Sequence, residues 1–277
     1  MKLNHLLGKV SARWQRTSSR LLFQRRLAMQ NARPLISFTF DDFPRSAWRT
    51  GGAILNKYGV RGSYYAALGL MGQETPTGPM FLPEDIGPML EQGHELGCHT
   101  YDHLDSWTTP TSVFEQSLLK NRTALKAICP KAEFLSLSFP ISPPRPTTKR
   151  MAGRMFSCSR GGGQIHNEQV ADLNSLRAYF LEKSGGRIEN VTTLIDRCCQ
   201  SSGWLILATH DVCENHTAFG CRPDFFEAIV RYAVNSPAQV LIVSESLQAL
   251  RGSIRSRAGE SESPSAVNDV RTKASHQ

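Results

Sequence analysis

Asp41 and Asp42 stand side by side at the end of an apolar run, F-T-F-D-D-F-P over 38–44. Adjacent carboxylates repel, and Asp is disfavoured in strands, so the doublet needs a reason. A turn or helix cap is one, since Asp suits both; chemistry is the other. Two further clusters favour chemistry. C-H-T-Y-D-H over 98–103 sets His99 and His103 four residues apart, and A-T-H-D over 208–211 sets His210 beside Asp211. An H-x-x-x-H pair meets one ion when its segment turns helically, and one carboxylate completes a facial set with positions left open for water and substrate. Cys98 precedes His99, but strand neighbours point to opposite faces, so its thiol is expected to pack away from such a site. His5, His94, His166, His216 and His276 have no comparable setting and read as surface or core residues.

Such clusters need elements to bring them together. Apolar, β-branched or aromatic runs predict strands at 35–40, 62–67, 94–98, 134–139, 204–209 and 239–243, with weaker ones near 155–159 and 176–181. Helical patterns lie between them at 46–58, 83–92, 111–128, 187–201 and 223–235, with Thr111 and Pro223 as helix-start signals. Alternation of this kind predicts an α/β fold with a parallel sheet. Seven or eight repeats suit a (β/α) barrel, with an open doubly wound sheet as the alternative. In both, chemistry gathers at the C-terminal ends of the strands, and all three clusters fall at predicted strand exits.

The chain of 277 residues, 40% hydrophobic and 20% charged, reads as a soluble globular protein with no stretch of the roughly 20 apolar residues that span a bilayer. Its seven cysteines form no C-x-x-C pair and read as reduced structural thiols. The net charge of +8 is localised: residues 1–40 hold eight Lys or Arg and no acid, which leaves 24 bases against 24 acids elsewhere. The sequence therefore divides into a basic arm (1–33), a body (34–251) and a Ser- and charge-rich tail (252–277) expected to be disordered. Leu3, Leu6, Leu7, Val10 and Trp14 recur at helical spacing, which makes residues 1–30 a candidate for peripheral contact with an anionic membrane. No apolar core of a secretory signal follows Met1, so a cytoplasmic protein, at the inner membrane surface, is expected. Nucleic acid is not an expected partner, because the body shows no basic patch or binding motif.

In this order and spacing, T-F-D-D, H-T-Y-D-H and A-T-H-D resemble the carbohydrate esterase family 4 polysaccharide deacetylases, the NodB-homology group. The resemblance spans about 34–250. It implies a distorted (β/α) barrel with one divalent metal ion, usually zinc, that removes acetyl groups from an amino-sugar polysaccharide, oligosaccharide or glycolipid precursor. By position it implies Asp42, His99 and His103 as metal ligands, Asp41 as catalytic base and His210 as general acid. The doublet then divides its labour: one carboxylate on the ion, the other free to take a proton from the attacking water.

The sequence also departs from the family pattern. The motif R-x-P-x-G corresponds to S-F-P-I-S, with Ser138 at the Arg position and Ser142 at the Gly position. The backbone N–H of Ile141 would be the second oxyanion donor. Arg160, at the next strand's end, is a candidate for the missing cation, though a surface role is the commoner one for Arg. Phe43 replaces the usual Gly after the doublet. Asp172 and Asp196 are candidates for the acid that accompanies His210. Other readings are an O-acetyl esterase on the same scaffold, a non-catalytic glycan-binding relative, and a non-haem Fe(II) oxygenase built on His103-Leu104-Asp105 with His166 or His210.

Overall fold

The computed structural model describes residues 13–261, with side chains from 13 to 253. Eight strands form one sheet: β1 (Leu35–Phe40), β2 (Gly62–Ala66), β3 (Glu95–Cys98), β4 (Ser136–Ser138), β5 (Cys158–Arg160), β6 (Tyr179–Phe180), β7 (Trp204–Thr209) and β8 (Gln239–Val240). All pairings are parallel, in the order β6-β7-β1-β2-β3-β4-β5, with β8 against the start of β1. The sheet curls into a partial barrel whose seam, between β5 and β6, is bridged at Arg160–Leu176. The distorted barrel expected from the sequence is the fold observed.

β1 and β7 are buried along their whole length, as expected of parallel strands covered on both faces. One face packs Phe38, Phe40, Leu205 and Leu207 with Phe226 and Ile229; the other packs Leu35, Trp204 and Ile206 with Val243 and Leu247. The helices that supply these covers are α1 (Ala53–Lys57, behind a π turn), α2 (Pro83–Glu91), α3 (Thr111–Ile128), α4 (Pro146–Met155), α5 (Ile188–Gln200), α6 (Pro223–Val234) and α7 (Val243–Ser261). Pro opens α2, α4 and α6, where its missing N–H costs no bond.

The structure corrects three expectations about elements. Thr111 does not cap α3; Pro110 holds that position, and the Thr111 hydroxyl lies 2.7 Å from that of Thr147, linking α3 to α4. Helix α4 was not foreseen, because P-T-T-K-R-M-A-G-R-M is polar and carries a glycine. Helix α7 continues through 252–261, where disorder was expected, and the rest of that tail, 262–277, lies outside the described residues.

The basic arm is joined to the body. Residues 13–21 are helical, and Arg26–Ala28 pairs antiparallel with Val170–Asp172. Leu3, Leu6, Leu7 and Val10 lie outside the described residues. Among those described, no helix is long and apolar enough to cross a membrane.

Candidate functional site

Strand register carries the candidate residues to one level. β1 and β7 pair from Leu35–Trp204 to Phe40–Thr209, so Asp41 and His210 each follow their strand by one residue. Ala66 aligns with Cys98, Cys98 with Leu137, and Ser138 with Arg160. The backbone then turns sharply: Asp42, Phe43, Thr100, His103 and Ile141 all adopt positive φ, between 51° and 63°. Non-glycine residues hold that conformation at a cost of about 1–3 kcal/mol each, offset by their surroundings. Phe43 shows how, buried and stacked on Phe81 with ring centroids 4.5 Å apart.

Asp42, His99 and His103 converge. Asp42 Oδ1 lies 3.3 Å from His99 Nε2 and 2.9 Å from His103 Nε2, and the three ligand atoms fall within 4.8 Å of one another. His99 donates from Nδ1 to the Ser138 carbonyl at 2.8 Å, which leaves a lone pair on Nε2. Asp42 Oδ2 accepts from Thr77 Oγ1 at 3.0 Å, while buried Oδ1 has no hydrogen-bond donor of its own. A lone pair facing an unpartnered carboxylate oxygen suits a cation between them, so these residues fit a divalent metal. Cys98 points the other way, within 3.2 Å of Asn121 Nδ2 on α3.

Burial pushes the Asp42 carboxyl up, but the imidazoles of His103 and His99 beside it outweigh that and hold the group well below the ordinary range. Burial would likewise raise Asp41; the Arg160 guanidinium, with lesser help from His99 and His210, keeps it below its ordinary value of 3.8. Arg160 is only 1% exposed, so the surface reading of this residue is wrong. Its Nη2 donates to Asp41 Oδ1 in a short charged bond, and its guanidinium lies 4.6 Å from the Tyr65 ring centroid. Register explains the placement: Arg160 is the β5 partner of Ser138, so a cation missing from one strand is present on its neighbour at the same level.

His210 sits across the opening, its Nδ1 3.2 Å from the Phe219 carbonyl and its ring between Phe180 and Phe219. Asp211 is buried and fixes the following loop, accepting from the Thr217 N–H and hydroxyl, each at 2.7 Å. The two acids expected beside His210 are elsewhere. Asp172 pairs with Lys149 at 2.5 Å and accepts from the Arg25 N–H, whereas Asp196 accepts from Tyr232 Oη at 2.8 Å on the helical layer. Asp41 and Glu182 both lie close enough to His210 for its charge to lower their pKa values. Glu182 is not among the residues the sequence singles out, although it lies two residues past β6; its Oε2 is buried without a partner, and burial raises its pKa. Ile141 is 70% exposed, and among the described residues its N–H donates to no acceptor.

The oxygenase arrangement is not assembled. Asp105 caps its own loop through Trp107 N, Thr108 N and Ser142 Oγ, and His166 lies against Ser201 and Glu168. Asp42, His99 and His103 are the one group of three or more candidate ligands that converges among the described residues. All of Asp41, Asp42, His99, His103, Ile141 and His210 open onto a cavity of about 1410 Å³.

A parallel barrel with acid and imidazole groups at its strand exits can be compared with known proteins in sequence and in fold. Residues 28–155 match the family model described as polysaccharide deacetylase. The peptidoglycan deacetylase PdaC from Bacillus subtilis shares the fold with a TM-score of 0.56 at 14% identity, over 83% of this chain and 96% of that one. A family 4 acetyl xylan esterase from Clostridium thermocellum, in complex with a cobalt ion, gives 0.54 at 17% over 79% and 92%. BA3943 from Bacillus anthracis, a CE4 family pseudoenzyme, gives 0.55 at 10% over 78% and 66%. No curated protein matches the chain in sequence. Residues 28–155 are thus similar in sequence to the polysaccharide deacetylases, and the fold is similar to that of the carbohydrate esterase family 4 structures. The matched segment ends before Arg160, Glu182 and His210, whose roles rest on geometry alone.

Proposed function

We propose that this protein is a metal-dependent hydrolase that removes N-acetyl groups from an amino-sugar glycan or glycolipid precursor. The observation that carries the reading is the division within the doublet: Asp42 faces His99 and His103, while Asp41 is bonded to buried Arg160. A pseudoenzyme on the same fold shows that fold alone does not decide activity, so these side chains must.

Asp42, His99 and His103 would hold one divalent ion, zinc by the nature of the ligands. Such an ion, when bound, acidifies water and polarises the acetyl carbonyl. Asp41, kept ionised and oriented by Arg160, accepts the proton of the attacking water. The unpaired N–H of Ile141 donates to the oxygen that gains charge. His210 delivers a proton to the departing amine, which leaves poorly without one. Glu182, rather than Asp172 or Asp196, is the carboxyl that accompanies His210 in this scheme.

An O-acetyl ester would use the same groups, but its alcohol leaves with less need of a proton. Acetate release from matched N-acetylated and O-acetylated oligosaccharides, by the parent and by His210→Ala, separates the two. The N-deacetylase reading expects N-acetyl hydrolysis to fall by about 10²–10⁴-fold and O-acetyl hydrolysis to fall less. Turnover confined to O-acetyl substrates would overturn it.

The same reading places the protein in the cytoplasm, at the inner membrane face. Seven free thiols suit a reducing compartment. The helix over 13–21 exposes Trp14 and Leu21, and Leu22 and Phe23 follow, beside arginines that suit anionic headgroups. Salt-sensitive sedimentation with anionic vesicles is expected, and failure to bind them at low salt would remove the membrane role.

A further inference from the structure

The cavity extends well beyond the acids and imidazoles. Its other walls include Arg13, Arg16 and Arg20 from the N-terminal helix, Arg26 from the strand that follows, and Arg177 ahead of β6. Positions 13, 16 and 20 share one helix face. None of these five guanidiniums has an ion-pair partner among the described residues, and residues 1–40 contain no acid that could supply one. Three further acids line the walls: Asp172 is already paired with Lys149, Glu182 belongs to the His210 side, and Glu74 is exposed on a separate hairpin and pairs with none of the five arginines.

This arrangement is built into the body rather than left as a solvated extension. Lys149, fully buried, bonds the Ser19 carbonyl at 2.6 Å near the end of the helix. Arg25 bonds the carbonyls of Gly153, Phe156 and Ser157, and Asn174 bonds that of Phe23. Buried polar groups thus hold an arginine-rich face over the groove.

Glycines at 161–163 form part of the same walls, directly after Arg160. A Cβ at Gly161 or Gly162 would approach no atom nearer than 3.9 or 3.7 Å, so packing of the first side-chain atom does not demand a glycine. Among the described residues the N–H groups of Gly162 and Gly163 donate to no acceptor. A bare glycine backbone with free donors, in the same cavity as unpaired arginines and with Arg177 beside Gly163, is suited to an anion with several acceptor oxygens.

We propose that this end of the cavity binds a phosphate or diphosphate ester carried by the substrate, so that the acetylated amino sugar is a glycosyl phosphate. A carboxylate would be satisfied by one guanidinium, whereas donors arriving from several walls match a phosphate. The inference rests on the deacetylase reading for its substrate, and the test separates the two.

Acetate release would be compared for N-acetylglucosamine 1-(methyl phosphate) and the neutral methyl glycoside, with calorimetric binding of both. The parent is expected to favour the phosphate ester by at least about tenfold in kcat/KM, mainly through KM, and less so as salt rises. Arg16→Gln combined with Arg20→Gln should bring that ratio towards one, and Gly162→Val should do the same by crowding the loop. Arg154→Gln, outside the cavity, should leave the ratio as it was. The same phosphate ester on an alkyl chain in phosphatidylcholine vesicles distinguishes a lipid carrier, which would gain further, from a soluble ester, which would not. Tighter binding of the phosphate ester with no turnover of either sugar would sink the deacetylase reading and keep the anion site. Turnover of both without preference would overturn the anion site and keep the deacetylase.

Discussion

Two neighbouring aspartates with different partners make separable predictions at the scale of single residues. Asp41→Asn keeps the shape of the side chain but cannot accept a proton, so activity should fall by about 10²–10⁴-fold with metal content unchanged. Asp42→Asn should lower metal content, measured by elemental analysis after dialysis; equal metal loss in both variants would refute the division of labour. Arg160 adds a pH signature. In the parent, Arg160 outweighs burial and Asp41 is ionised below its ordinary value of 3.8, so the base is ready throughout the mildly acid range. In Arg160→Gln burial prevails and the carboxyl rises, so the acid limb of the kcat/KM profile should move to higher pH. An unmoved limb would mean that Arg160 does not tune the base. The doublet, the histidine pair and His210 were legible because each departs from what its strand alone would favour. Arg160 was only half legible, because its burial follows from the register of β4 and β5, which no local pattern encodes. Glu182 follows the weak run expected near 176–181, but a lone acid with no neighbouring imidazole or second acid gave nothing to single it out.

At the scale of elements, the strand exits were predictable and the arm was not. Continuous apolar runs identify β1 and β7 because both faces are covered, whereas short β5, β6 and β8 depend on neighbours for their pairing. The arm's composition suggests contact with an anionic membrane, and says nothing of its attachment to the body, which runs through the long polar side chains of Lys149 and Arg25. Lys149→Ala would leave Asp172 without its cation and the Ser19 carbonyl without its donor. A loss of about 3–5 kcal/mol is expected from breaking a buried pair on one side. Denaturant unfolding measures it, and a change within about 0.5 kcal/mol would show that the arm is not anchored as described. For the same reason a truncation that tests membrane contact should stop short of Arg25, whose guanidinium holds the carbonyls of Gly153, Phe156 and Ser157.

For the whole molecule, the curled sheet brings together residues from six of its strands and the loops after them, and the charge pattern completes the picture. A near-neutral body presents its reacting groups to a cavity that the uncompensated arginines of the arm also line. A metal bound only by the folded state should also stabilise it, by about 2.7 kcal/mol at a hundredfold excess over Kd, visible as a higher Tm with zinc than with chelator. The central claim is that Asp42, His99 and His103 hold the one ion on which deacetylation by Asp41 depends. The direct measurement is a zinc titration of chelator-treated protein, with acetate release from an N-acetylated oligosaccharide followed at each step. Activity should be absent at the start, rise linearly and reach its plateau at about one ion per chain, with Asp41→Asn binding the same equivalent and remaining inactive. Full acetate release before any zinc is added, or a plateau unrelated to occupancy of that single site, would contradict the account.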